Sequence, residues 1–338
     1  MKANTSALVR KGYLAGAYSG MSWGLDTVLL GVVMSFGIFA DNPILVAGGV
    51  FLCSLLHDGF AALWMLIIMG FKQRLKEFGR AIRTRDGLFC MLGALFGGPL
   101  AMTFYILAIA KGGAALTATV TACYPLLGSA LAVVILKEKM SVQSWLGLLV
   151  CVLGIFWIGY APGEESSGNA LTGILLASVA AIGWATEAVV CGYGMKAGKV
   201  DPQMALLIRE ITSGIAYLII VPFMLGSLGN VTEGIQAIFA HWPSWLLLLF
   251  TALIGMSSFL MWYTGIDLIG AAKALCLNVT YSFWAVLFTW LFFGGEWSIN
   301  VIIGSLMVMG GVMFATLMTE KGSTKKRAPK LKDTPESI

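Results

Sequence analysis

The chain has 338 residues, 58% of them hydrophobic and only 12% charged, and its mean hydropathy is +0.86. A soluble domain carries about 25% charged residues, so this composition excludes an ordinary soluble globule. The net charge of +5 follows from where the basic residues sit and does not imply nucleic-acid binding.

About 20 apolar residues span a bilayer as a helix. By that measure the sequence predicts an all-α polytopic membrane protein with ten spans, at 13–36, 43–71, 87–110, 113–136, 142–161, 170–195, 202–226, 245–267, 272–293 and 298–318. The run after Arg10 and Lys11 is too long for a cleavable signal segment and holds Trp23 and Asp26. The last residues, 320–338, are polar and basic and predict a disordered tail.

Span one contains Ser22-Trp23-Gly24-Leu25-Asp26. Positions i and i+3 share a helix face, so an aromatic ring lies beside a carboxylate. Span two carries His57 and Asp58. Spans three to five carry no ionisable residue, but Gly93 and Gly97 permit close helix contact. Span six repeats the first theme as Trp184 and Glu187, after Gly183. Span seven carries Arg209 and Glu210. Span nine carries Asn278, Tyr281 and Trp284, which at a spacing of three share a face.

The two halves repeat. Trp23 and Asp26 match Trp184 and Glu187 at an offset of 161; Leu55-Leu56-His57-Asp58 matches Leu207-Ile208-Arg209-Glu210; Tyr105 matches Tyr263, and Glu138 matches Glu296. The expected units are 1–161, 162–319 and the tail 320–338. Five spans per half is an odd number, so tandem halves insert with opposite orientation, as two inverted five-helix repeats.

Basic residues decide the orientation. Arg10, Lys11, Lys72, Arg74, Lys76, Arg80, Arg83, Arg85, Lys137, Lys139, Lys196, Lys199, Lys273 and the tail share one side; Lys111 faces the loops with Asp41, Glu164, Glu165, Glu233 and Glu296. Both termini are expected in the cytoplasm, with the chain in a bacterial plasma membrane.

An ionisable group at mid-bilayer costs at least ~2.5 kcal/mol and marks a functional site by default. Asp26, His57, Asp58, Glu187, Arg209 and Glu210 fall in only four spans, which argues for one polar cavity. Arg209 is permanently charged and needs a partner, either Glu187 or Asp58. Sequence neighbours point apart on a helix, so pairing within His57–Asp58 or Arg209–Glu210 is not assumed. Trp23, Trp184, Tyr281 and Trp284 are the candidate walls of an aromatic box for an organic cation. Trp157, Tyr160, Trp242, Trp245 and Trp297 fit an interfacial belt instead. The six cysteines lie in apolar runs without metal spacing and predict buried hydrophobes, with no disulfide and no metal. No nucleotide-binding or catalytic motif occurs, so neither an enzyme, a cofactor nor an ATP-driven pump is expected. Coupling falls to ion gradients, with His57 or a buried acid able to carry a proton.

These runs, with Leu92-Gly93-Ala94-Leu95 through Gly98-Pro99 and Leu277-Asn278-Val279-Thr280-Tyr281, resemble the drug/metabolite transporter superfamily with paired EamA-type domains, and within it the bacterial choline permease branch. The resemblance implies proton-driven uptake of choline or a similar quaternary amine, by a monomer or homodimer. It implies a cage of Trp23, Trp184, Tyr281 and Trp284, with Glu187 as counter-charge and His57 and Asn278 lining it. Asp58, Arg209 and Glu210 are assigned to proton coupling or gating. Asp26 departs from that branch, where a small residue is expected, and points either to a carnitine- or polyamine-like cation or to coupling. The alternative on the same fold is export of amino acids, nucleobases or cationic drugs.

Overall fold

Asparagine or aspartate followed by proline begins two of the long helices. Asn42 caps the helix Pro43–Phe71 through bonds from the Ile44 and Leu45 amides; Asp201 does the same for Pro202–Met224 from Gln203 and Met204. The cap oxygen satisfies amides that lack an intrahelical partner, and proline at the first position loses no needed N–H.

The computed structural model describes residues 2–112, 114–159, 170–196, 198, 200–294 and 299–317. Its helices are α1 (Lys2–Met34), α2 (Ile38–Asp41), α3 (Pro43–Phe71), α4 (Leu75–Ala81), α5 (Arg85–Leu95), α6 (Ala101–Gly112), α7 (Ala114–Thr121), α8 (Tyr124–Ile135), α9 (Val142–Gly159), α10 (Ala170–Lys196), α11 (Pro202–Met224), α12 (Leu228–Ala240), α13 (Trp242–Ile269), α14 (Ala271–Asn278), α15 (Tyr281–Phe293) and α16 (Ile299–Leu317). A π-turn, Phe96–Leu100, joins α5 to α6. No strand occurs among the described residues. Six helical runs are long and apolar enough to cross a membrane: Pro43–Phe71, Arg85–Ile109, Leu171–Lys196, Pro202–Met224, Trp242–Ile269 and Ala271–Phe293. Shorter apolar helices lie at Tyr124–Ile135, Val142–Ile158 and Ile299–Ala315. The chain is a multi-pass helical membrane protein. Tyr160, Glu164, Glu165, Lys199, Glu296, Trp297, the tail and the expected boundary at 161/162 lie outside the described residues.

Three short helices, α2, α4 and α12, were not expected. Each is polar or amphipathic, so a search for uniformly apolar runs passes over it. The expected single helix of span nine is broken. α14 ends at Asn278, Val279 and Thr280 form a turn, and α15 starts at Tyr281; the Thr280 amide bonds the Leu277 carbonyl three residues back rather than four. Asn278 therefore does not share a continuous helix face with Tyr281 and Trp284. The stretch 114–135 is broken in the same way, at Ala122–Cys123.

Small residues set the closest crossings. Gly12, Gly16, Gly20 and Gly24 form one stripe of α1. A Cβ on them would meet Ile269, Leu277, Thr280 and Trp284 at 2.2–2.7 Å, so α1 and the α13–α15 run pack backbone to backbone. Farther along α1, Gly31 has nothing within 4 Å. α14 is buried at every residue but Lys273, whereas no residue of α15 is buried. All six thiols are free; five are buried and Cys123 is half-buried.

Candidate functional site

α1, α3, α10 and α11 bring the six ionisable residues of the apolar spans into one network. Asp26, Asp58, Glu187, Arg209 and Glu210 are each at most 6% exposed. His57 joins the first two: its Nε2 is 3.0 Å from Asp26 Oδ1 and its Nδ1 is 3.4 Å from Asp58 Oδ1. Asp58 Oδ2 accepts a 2.5 Å bond from the Ser213 hydroxyl and lies 3.4 Å from Arg209 Nη1. Arg209 then fans out, donating from Nη1 to Glu210 Oε2 at 2.9 Å and from Nε to Glu187 Oε1 at 3.3 Å. Glu187 Oε1 also accepts from the Tyr263 hydroxyl at 3.2 Å.

Both candidate partners of Arg209, Glu187 and Asp58, are real. The neighbour pairings that the sequence left open both form, at Arg209–Glu210 and, more loosely, at His57–Asp58. Neighbouring side chains leave the helix about 100° apart. A guanidinium on a long flexible stem curls back across that angle, and the imidazole needs only its near nitrogen to turn.

The network is short of positive charge. Four carboxylates, those of Asp26, Asp58, Glu187 and Glu210, face one guanidinium and one imidazole. Even with His57 protonated, two negative charges lack a matching side chain. Isolated buried charges cost several kcal/mol each, so the cluster takes up protons or binds a cation.

The aromatic residues divide into two groups around it. Trp23 meets Phe259 edge-on at 4.8 Å, and Phe259 also lies beneath the Arg209 guanidinium at 4.1 Å. Trp262 and Tyr263 continue this group. Trp184 instead meets Tyr105 at 5.4 Å and Tyr124 at 5.9 Å. Tyr281 lies within electrostatic range of both tyrosines, and Tyr124 within range of Glu187. The single box expected from Trp23, Trp184, Tyr281 and Trp284 is thus two adjoining groups, with Glu187 beside both. Trp284 stacks on Phe288 and lies against Gly24. Asn278 accepts from the Tyr124 hydroxyl and donates to Ser19 Oγ, both at 2.8 Å. Trp157 and Trp242, set aside as belt residues, are exposed.

Sequence reasoning missed Tyr124, Ser213, Phe259 and the role of Tyr263. A signal existed for two of them. Tyr263 is the repeat match of Tyr105, and Tyr124 stands 157 residues before Tyr281, close to the spacing of the repeat. Ser213 and Phe259 carry no sequence mark.

Outside the spans, Arg74 joins the α3–α4 connection to the start of α11. It bonds Glu77 at 2.7 Å and Asp201 at 2.5 Å. Burial works to raise the Asp201 carboxyl, but the Arg74 bond and charge outweigh it and hold Asp201 below the usual carboxylate range. Bonds to Glu77 and Asp201 raise Arg74.

The sequence pattern of the EamA-like transporter family matches residues 10–160 and again 171–317. Protein LicB of Haemophilus influenzae is 25% identical over 316 residues, covering 90% of this chain and 96% of that protein. The uncharacterized transporter YoaV of Bacillus subtilis is 25% identical over 182 residues, 54% of this chain and 59% of that protein. A solved crystal structure with 16% identity superposes with a TM-score of 0.66 over 92% of this chain and 98% of that one, a likeness of fold alone.

Proposed function

The chain belongs to the EamA-like transporter family, and from that premise we propose that it carries choline or a similar quaternary organic cation inward, coupled to protons, by alternating access. The observation that carries this reading is the charge deficit of the buried network beside a group of tilted and edge-on aromatic rings. An organic cation supplies a missing positive charge, and its methyl groups suit the faces of Tyr105, Tyr124, Trp184 and Tyr281. Such contacts contribute ~2 kcal/mol or more when desolvated. Glu187 is the counter-charge, because it borders both the aromatic group and Arg209. The second missing charge is a proton, taken by a carboxylate or by the trio Asp26–His57–Asp58. Both ring nitrogens of His57 face carboxylates, and a neutral imidazole has only one N–H to give.

The proposed architecture is ten spans in two inverted repeats, 1–161 and 162–319, in a bacterial plasma membrane with both termini cytoplasmic. The odd span count and the one-sided basic residues support it. Binding energy then differs between two conformations related by rocking of the halves about the site.

Purified full-length protein in liposomes, given labelled choline and an inward proton gradient, tests the reading. Saturable uptake that falls at least about tenfold, worth ~1.4 kcal/mol, in Glu187→Gln and Trp184→Ala is the expected result. No saturable uptake, or full uptake by Glu187→Gln, rejects it.

A second reading is export of amino acids on the same scaffold. It is favoured by Arg209, whose guanidinium suits a substrate carboxylate. A panel of cations, anions and zwitterions in a thermal-shift assay separates the two, because only this reading predicts stabilisation by zwitterions above cations.

A further inference from the structure

Two glycines touch the two repeat-matched acids. A Cβ on Gly97, in the π-turn, would fall 1.7 Å from Glu187 Oε2, 2.3 Å from its Cδ and 2.7 Å from its Cβ. A Cβ on Gly255, in α13, would fall 2.7 Å from Asp26 Oδ1 and 2.8 Å from both His57 Cε1 and Nε2. The arrangement is crosswise. The first half supplies the glycine for the acid of the second half, and the second half supplies the glycine for the acid of the first.

The sequence relates these glycines. Gly255 follows Gly97 by 158 residues, and Tyr263 follows Tyr105 by the same 158. Glycine and tyrosine thus form one repeated unit, G followed eight residues later by Y. In the first half Tyr105 stacks near Trp184; in the second Tyr263 bonds Glu187. The acids differ in what neutralises them. Glu187 has Arg209, a permanent cation, whereas Asp26 has His57, an imidazole that exists in a charged and a neutral form.

We propose that Gly97 and Gly255 are twin positioning residues: Gly97 seats Glu187 for the organic cation, and Gly255 seats the Asp26–His57 pair as a separate proton site. The organic cation at Glu187 rests on the function proposed above; the proton site does not need it. Asp26, the residue that a choline cage does not require, is then the second half of a symmetric device. The charged groups facing the pair are Asp58 on α3, and Arg209 and Glu210 on α11, with Arg209 reaching it through Asp58. From α13 comes the uncharged Gly255, while Tyr263 of the same helix is engaged with Glu187. A methyl at 255 meets only the far ends of two side chains, so the fold accommodates it by moving the pair.

The chain has only two histidines, His57 and His241. Full-length protein with isotope-labelled histidine therefore gives two imidazole signals in detergent without any substrate, and His57→Gln assigns them. Gly255→Ala is expected to move the His57 titration midpoint by about one unit or more, with His241 unmoved. Gly97→Ala is expected to leave that midpoint in place and to raise the uptake KM for labelled choline about tenfold, ~1.4 kcal/mol. A His57 midpoint unchanged by Gly255→Ala, or moved as far by Gly97→Ala, overturns the proposal.

If Gly97→Ala fails to fold, the pair Gly97→Ala with Glu187→Gly, which removes every atom in the clash, is expected to fold as well as Glu187→Gly alone. Failure of that pair overturns the seat at Gly97. A chain that shows the Gly255→Ala shift but takes up no cation keeps the proton site and loses the transport reading. A chain that takes up choline without that shift does the reverse.

Discussion

Glu138 offers a sharp test of how the two halves are fastened. α8 ends at Ile135, and Lys137 then adopts a left-handed backbone with φ of 56°. That reversal brings Glu138 to the start of α14. Its Oε1 accepts from the Ala271 amide at 2.9 Å and its Oε2 from the Ala272 amide at 3.0 Å. Gly270 supplies the approach: its φ is +92°, and a Cβ there would sit 2.8 Å from both carboxylate oxygens. One side chain of the first half therefore caps a helix of the second. Losing such a cap costs ~1 kcal/mol, and losing a negative charge at a partly buried helix N-terminus costs up to ~2 kcal/mol more. Glu138→Ala should destabilise by roughly 2–3 kcal/mol, since both amides are buried and find no other acceptor. For a chain of this size that is a melting shift of about 3–4 °C. A thiol-reactive fluorogenic dye reports it directly, because the buried cysteines become reactive on unfolding. Lys139→Ala, an exposed neighbour, is the control. Glu138→Gln should fall between, keeping one acceptor and losing the charge. If Glu138→Ala melts with the Lys139→Ala control, the cap holds nothing and the fastening argument is wrong.

Other expectations follow from the same geometry. Arg209→Met strips Glu187, Glu210 and Asp58 of their shared cation and should destabilise by about 3–5 kcal/mol; a wild-type melting curve contradicts a shared ion pair. Tyr263→Phe removes the hydroxyl 3.2 Å from Glu187, and the lost bond, about 1 kcal/mol, should raise the uptake KM roughly fivefold; an unchanged KM separates Tyr263 from the site. Asp201 is held low by Arg74, so the stability it adds is complete above its unfolded pKa of about 3.9 and is lost as pH falls through the lower folded value. Melting curves of wild type and Arg74→Ala should therefore differ at pH 6, by at most ~1 kcal/mol for so exposed a pair, and converge toward pH 3. Thr27→Cys should react with a water-soluble maleimide while Ile215→Cys does not; both positions are exposed, and equal reactivity places Thr27 in lipid instead of a cleft.

Six of the ten expected spans, those at 43–71, 87–110, 170–195, 202–226, 245–267 and 272–293, correspond to helical runs long and apolar enough to cross a membrane among the described residues; these were legible because a spanning segment must satisfy its own backbone in lipid. The position of the network was legible for a related reason. Charges are so costly there that Asp26, His57, Asp58, Glu187, Arg209 and Glu210 stood out against an apolar background. Their partners were not legible to the same degree. Ser213 and Phe259 are ordinary residues of a membrane helix, and only the crossing of α11 and α13 gives them a task. The helix break at Val279–Thr280 left no glycine or proline to read, so Asn278 was given a face it does not occupy. The role of Gly97 was half visible: its spacing from Gly93 suggested close packing, but the atoms that pack against it are a carboxylate.

The two ends of the bundle are not in the same state. At the basic end, Gly12, Gly16 and Gly20 pack on the run through α14, Glu138 caps that helix, and Arg74 ties α4 to α11. Past the site the same stripe of α1 continues through Gly24 to Thr27 and Gly31, each three or four residues on, and Thr27 and Gly31 are exposed. α15, which continues α14, has no buried residue. Spans one and nine therefore run in contact to the level of Trp284 and then separate. The proposed rocking of the halves accounts for a seam built from glycine. Side chains that interdigitate must be unpacked to let helices part, whereas glycine stripes separate without a rotamer changing. The stripe joins the first half to the second along its whole closed length, and the Glu138 cap lies at its far end. Under the proposed alternating access the same seam opens from the basic end when the site faces the other side, and the Glu138 cap lies at that end.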